Sequence, residues 1–262
     1  MDESYQTYLN RVARLTLPAT YESKVQHIQE SPKFQPQAGG GRKAVPFPGY
    51  TVITPPWGNE SENAGFYTSL RASQEQLVEQ LDTDLIVPVP PDSFHLTLTD
   101  LIWDSAYRDA IHENPEFEVQ LRDRIGLSFE HYQRTATPGN PMRWNLLGLM
   151  VMPRALGICL VPEHENTYER ILQFRRSIYQ NPSLIALGIE QQYHFTAHIT
   201  LGYFGNISPQ LSQRDRLIAT LSKVNQQWLE NPQELLVHRA ELRKFDDMTG
   251  YYRETDWPIL EF

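Results

Sequence analysis

Two short stretches hold the residues best suited to chemistry, Phe94-His95-Leu96-Thr97-Leu98 and Phe195-Thr196-Ala197-His198-Ile199-Thr200-Leu201. In each, a histidine is followed two residues later by a threonine, with an apolar residue after each. Side chains alternate between the faces of a β-strand, so His and Thr share one face and the aliphatic residues bury the other. An imidazole titrates at about 6.5, so two of them across a cleft can serve as acid and base near neutral pH. Two threonine hydroxyls can donate to the non-bridging oxygens of a phosphate between them, where charge grows in the transition state. The chemistry expected is phosphoester cleavage without a metal. One His-x-Thr is a weak signal; two in strand context, at matching places in a repeat, are a strong one.

The repeat is visible in the apolar pattern. A strand is expected at 50–54, a helix with Tyr67, Leu70, Leu77 and Leu81 on one side, the His95 strand, a helix through Phe117, Leu121, Ile125 and Phe129, and a strand at 144–149. The same order returns with a strand at 157–161, a helix from Tyr168 to Tyr179, the His198 strand, a helix from Leu217 to Trp228 and a strand at 234–238, with a turn at 246–250. A β-α-β-α-β unit occurring twice predicts an α+β fold of two lobes, 49–152 and 153–262, related by a pseudo-two-fold axis about a central cleft. Ahead of it, residues 1–48 form an extension. Its first part is one or two helices carrying Tyr5, Tyr8, Leu9, Val12 and Leu15, read as a packing appendage, and 31–49 read as a surface loop rich in Gly and Pro. Gly39-Gly40-Gly41-Arg42-Lys43 is not a phosphate-binding loop, because Ala44 stands where Ser or Thr would be needed.

Composition narrows the partners. A net charge of -9 and a pI near 5.4 argue against an extended duplex nucleic-acid surface. Cys159 is the single cysteine and sits in an apolar run, so no internal disulfide or Cys-based metal site is expected, and the protein is read as a cytoplasmic monomer with no cofactor. No run reaches membrane-spanning length.

His95-Leu96-Thr97-Leu98 and His198-Ile199-Thr200-Leu201 resemble the paired His-x-Thr/Ser-x signatures of the 2H phosphoesterase superfamily, over residues 49–262. The extension, with 46–53 after it, is similar to a branch of that superfamily with no assigned substrate. The resemblance implies a bilobal LigT-like fold and action on 2',3'-cyclic or 2',5'-linked phosphates of a small nucleotide or RNA end. It implies His95 and His198 as the acid-base pair and Thr97 and Thr200 as phosphate clamps. Tyr203 follows the second motif where Asp100 follows the first.

Further substrate-binding candidates are Tyr203 and Trp57 for stacking on a base, Arg143 for gripping a phosphate, Lys43 in the glycine loop, and His194, four residues before His198. Three readings compete with hydrolysis: a protein that binds a nucleotide or RNA end without turning it over, an RNA 2',5'-ligase-like activity, and a metal held by His95, His194 and His198.

Overall fold

The structure, a computed structural model, describes residues 2–81, 84–136, 140–207 and 214–262. Ser4 caps the first helix, α1 (Tyr5–Ala13), its hydroxyl accepting from the Thr7 N–H at 3.2 Å. Pro18 opens α2 (Pro18–Val25), where its missing N–H costs nothing. Both helices are bound to the body: the Tyr8 hydroxyl donates to the Leu160 carbonyl at 3.1 Å and the Tyr21 hydroxyl to that of Leu149 at 2.8 Å. Tyr8, Val12, Tyr21 and Val25 are buried there in the same core as the sheets. The stretch expected as a surface loop instead forms a hairpin of β1 (Phe34–Pro36) and β2 (Arg42–Ala44). Gly39, Gly40 and Gly41 turn it at φ of +94°, +99° and +73°, a region only glycine adopts without strain.

Two antiparallel sheets make the α+β body. One runs in the order β11 (Ile259–Glu261), β10 (Arg239–Phe245), β3 (Gly49–Ile53), β5 (Thr97–Trp103). The other runs β4 (Ile86–Pro88), β8 (His198–Phe204), β7 (Ala155–Pro162), β6 (Met142–Val151), β9 (Glu234–Val237). The duplication is plain in the pairing: β3 lies between β5 and β10 as β7 lies between β8 and β6. Each motif strand thus flanks a central strand. The chain reaches this arrangement by crossing over. β6 closes the first unit in sequence but pairs with β7, and β10 follows the second unit but pairs with β3. Sheet membership therefore does not follow the division at residue 153.

The helices are α3 (Ala64–Gln80), α4 (Asp104–Glu113), α5 (Phe117–Thr135), α6 (Glu165–Tyr179), the single turn α7 (Pro182–Ile185) and α8 (Arg214–Glu230). They cover the sheets around a core that includes Trp144, Tyr67, Phe94, Phe174 and Ile199. No helix among the described residues is long and apolar enough to cross a membrane. Glu118, in the first turn of α5, is half-buried and accepts from Tyr107 at 2.5 Å, Lys244 at 2.6 Å and Tyr50 at 3.1 Å.

Tight packing between strands gives a first prediction. A Cβ on Gly49 would lie 2.3 Å from the Ile102 carbonyl oxygen and 2.8 Å from the Trp103 Cα. Backbone atoms cannot swing away, so Gly49→Ala is expected to cost about 1–3 kcal/mol. Chemical or thermal unfolding of the variant checks it.

Candidate active site

The bulges of β5 and β8 decide which side chains face the cleft between the sheets. On β8 the register against β7 slips at Leu201, so that Gly157 faces Thr200 and Leu156 faces Gly202. Tyr203 has the wrong parity to share a face with His198 and Thr200 on a flat strand, and the extra residue brings it round. β5 slips against β3 on either side of the Val52–Thr99 and Thr51–Asp100 pairs, which places Thr97, Asp100 and Trp103 on its exposed side. The result is a cavity of about 700 Å3, of a size usual for small-ligand sites. It is lined by both motifs, His95, Thr97, His198 and Thr200, with Tyr203 and Asp100 beside them.

The two imidazoles are held alike. His95 Nδ1 lies 2.7 Å from the Ser93 carbonyl oxygen, and His198 Nδ1 lies 2.8 Å from that of Thr196, in each case two residues upstream. A carbonyl only accepts, so Nδ1 carries the proton and Nε2 is left for chemistry. His95 also meets the Tyr251 ring edge-on, with centroids 4.2 Å apart. Burial pushes its pKa down to about 4 against the pull of the Ser93 carbonyl, and the nearby His198 and the Arg243 cation push the same way. His95 is therefore neutral at neutral pH.

Each histidine has its own brace. Behind the first motif, Thr54 and Leu96 exchange two hydrogen bonds, Thr54 N–H to the Leu96 carbonyl at 3.0 Å and Leu96 N–H to Thr54 Oγ1 at 2.9 Å. Trp57 N–H donates to the Phe94 carbonyl at 3.0 Å, and its ring stacks on Phe94. Behind the second, Arg11 on α1 donates to Thr196 Oγ1 at 2.7 Å and to the Phe195 carbonyl at 2.6 Å, while Glu3 accepts from it. The residue that Arg11 grips, Thr196, is the one whose carbonyl orients His198. The buried Arg175 of α6 links the halves: it donates to the Leu98 carbonyl and stacks 4.7 Å over Phe195. The extension thus braces the site as well as packing. Arg11→Met is expected to lower kcat between about 10- and 100-fold with little change in KM, since misplacing a catalytic group by an ångström has effects of that size. Steady-state kinetics on a cyclic phosphodiester checks the split.

The remaining sequence candidates fall outside the cavity. Arg143, on β6, pairs with Glu234 on the exposed flank. Trp57 is packed between Phe94 and Tyr67 behind the first motif. Lys43 lies exposed on β2. His194 is exposed in the approach to β8, which starts only at His198, and Tyr193 beside it lines the cavity instead. The three histidines considered for a metal are therefore not assembled. Among the described residues no three His, Cys, Asp or Glu side chains gather as ligands.

Several lining residues escaped the sequence reading as site candidates. Tyr251 follows the 246–250 turn, and its carbonyl accepts from Arg243 at 2.9 Å. Tyr193 lies against the Asp100 carboxylate, whose charge, after burial, raises the Tyr193 pKa. Lys33, Phe47, Trp103, Phe245 and Met248 also line it and pack near one another. Tyr251 lies just beyond a recognisable turn, and Lys33 is one of three cations, with Arg42 and Lys43, that the loop could lean toward an anionic ligand, although a solvated loop is the favoured reading of that stretch.

Residues 33–111, which contain His95 and Thr97, match the family described as 2H-phosphodiest, Domain of unknown function (DUF1868). No curated protein matches the chain. Among solved structures, the conserved protein of unknown function ATU0111 from Agrobacterium tumefaciens str. C58 has a similar fold, with a TM-score of 0.56 and 15% identity over 89% of this chain and 96% of that one. The protein TT0787 of Thermus thermophilus gives a TM-score of 0.43 at 19% identity, over 74% of this chain and 86% of that one. E. coli LigT complexed with 3'-AMP gives 0.40 at 14% identity, over 81% and 94%. The family match thus covers the part of the chain that carries the first motif, and the second His-Thr motif, outside the matched residues, lines the same cavity as the first.

Proposed function

We propose that the protein is a metal-independent phosphodiesterase that opens 2',3'-cyclic phosphates, or cleaves 2',5'-linked ones, on a small nucleotide or an RNA end. The observation that carries this reading is the pair of imidazoles lining one cavity, each with Nδ1 fixed on a carbonyl two residues upstream and each with a threonine beside it. In the proposed step, water attacks phosphorus as its proton passes to Nε2 of neutral His95. The P–O bond to the ribose oxygen breaks while His198 protonates that oxygen, giving a phosphate monoester and a free hydroxyl. Thr97 and Thr200 donate to the non-bridging oxygens, and their geometry is built before substrate arrives. Tyr203 and Tyr251 line the cavity beside the motifs and bound the space in which the nucleoside would lie.

Chelator-treated protein, incubated with 2',3'-cyclic nucleotides, a 1'',2''-cyclic phosphate and 2',5'-linked dinucleotides and assayed for monoester product, tests the proposal. Turnover of a 2',3'-cyclic or 2',5'-linked substrate is expected. No product from any member of the panel would overturn it.

A further inference from the structure

The proposed step leaves three charged residues that line the cleft, Lys33, Asp100 and Arg154, without a task, and of these Lys33 is the cation held among aromatic rings. Lys33 lines the cavity just before β1, and its backbone is fixed by the Val45 N–H donating to its carbonyl at 3.0 Å. Its ammonium lies 4.4 Å from the centre of the Phe47 ring, 5.1 Å from that of Tyr203 and 3.3 Å from Met248 Sδ. Among the described residues no carboxylate comes within ion-pair distance of it. Asp100 and Asp104 act on it only from farther off, and Asp100 takes the Tyr193 hydroxyl as a partner. Aromatic faces and a thioether hold an ammonium far less strongly than water or a carboxylate does. The deficit is visible in the proton affinity: burial pushes Lys33 down to about 8 despite the pull of those two aspartates. A half-buried cation kept short of counter-charge inside a ligand cavity is suited to an anion that the ligand brings with it.

That anion is not the reacting phosphate. Tyr203, whose face Lys33 covers, lies beyond the bulge from Thr200 on β8, opposite Ala155 where Thr200 is opposite Gly157, so the two are two regular rises apart, roughly 7 Å at about 3.3 Å per residue. This separation is of the order that divides the phosphates at the two ends of one nucleoside. We infer that Lys33, with Phe47 and Tyr203 as walls, forms a second anion subsite, and that the substrate carries a second phosphate on the side of its sugar away from the bond that reacts. The inference deepens the proposed function and rests on it for which phosphate reacts. It also reconciles an acidic protein with an anionic substrate, because the recognition is by one desolvated cation and not by a basic surface.

Isothermal titration calorimetry with adenosine 3',5'-bisphosphate and with adenosine 3'-monophosphate tests it on the wild-type protein and on Lys33→Met. The substitution nearly keeps the length of the side chain and removes a half-buried charge, and a melting curve verifies folding. Wild type is expected to bind the bisphosphate about tenfold or more tighter than the monophosphate. In Lys33→Met that preference should vanish while monophosphate affinity stays within about twofold. Equal affinities in wild type, a preference intact in Lys33→Met, or binding of neither probe would overturn the subsite. No turnover enters this measurement, so failure to hydrolyse cyclic phosphates counts against the proposed function alone.

Discussion

His95→Ala and His198→Ala are each expected to lower kcat on a 2',3'-cyclic nucleotide by about 100- to 10,000-fold, the range over which a positioned acid or base acts. Neither change should unfold the protein, since both rings face the cavity and the buried residues beside them, Leu96, Leu98, Ile199 and Leu201, are untouched. The two variants should differ in their pH profiles. His95 must be neutral to accept a proton and is held down to about 4 by burial, with the charges of His198 and Arg243 adding to it. Activity therefore persists as pH falls through 6.5 and is lost only near 4 in the wild type. In His95→Ala this acid limb should vanish together with most of the rate. The same shift has a stability consequence of definite sign. The unfolded chain takes up a proton at His95 near 6.5 and the folded chain only near 4, so folding loses stability as pH falls between these values. Rate profiles of the wild type and both variants, with melting curves as the control, check all of this.

Arg243→Ala is expected to be the most damaging single change away from the motifs. Arg243 is 5% exposed and Glu241 2%, and the pair closes at 2.5 Å. Arg243 also donates to Asn59 Oδ1 at 3.0 Å and to the Tyr251 carbonyl at 2.9 Å, tying β10 to the turn that carries Tyr251 against His95. Truncation leaves the Glu241 carboxylate buried with only Arg239, 2.9 Å away, to balance it among the described residues. Breaking a buried pair in this way costs about 3–5 kcal/mol, which for a chain of this size lowers Tm by roughly 10 °C. Replacing both members, Glu241→Gln with Arg243→Met, should recover part of the loss, because the penalty comes from the stranded charge and not from a missing attraction. Calorimetry of the single and double variants decides it.

That ion pair also marks where the sequence stopped being legible. Residues 239–245 carry Arg239, Glu241, Arg243 and Lys244, a high density of charge, and lie between the strand expected at 234–238 and the turn at 246–250 without an element assigned to them. They form β10 all the same, because Arg239 and Arg243 neutralise Glu241 within the sheet. The His-Thr strands, the helices of both units and the α+β architecture were legible because they rest on local periodicity, which one sequence displays. What was not legible depends on partners far along the chain. Val87 leads into the His95 strand in sequence, yet β4 pairs with β8 of the other sheet. Tyr203 reaches the cleft through a bulge, against the parity of a flat strand. Lys33 and Lys43 are equivalent in composition, and only the β1–β2 hairpin decides that Lys33 lines the cavity and Lys43 is exposed. Arg143 has the chemistry of a phosphate ligand, but Glu234 stands opposite and takes it.

In the proposed reaction, water activated in the cavity between the His-Thr strands attacks phosphorus without a metal. Hydrolysis of a 2',3'-cyclic nucleotide by chelator-treated protein in oxygen-18 water, followed by mass spectrometry of the monoester, tests it most directly. One oxygen-18 atom per product, attached to phosphorus, is expected, formed at a rate that falls at least about a hundredfold in the His95→Ala, His198→Ala double variant. Unlabelled product, or labelled product formed equally fast by the double variant, would contradict it.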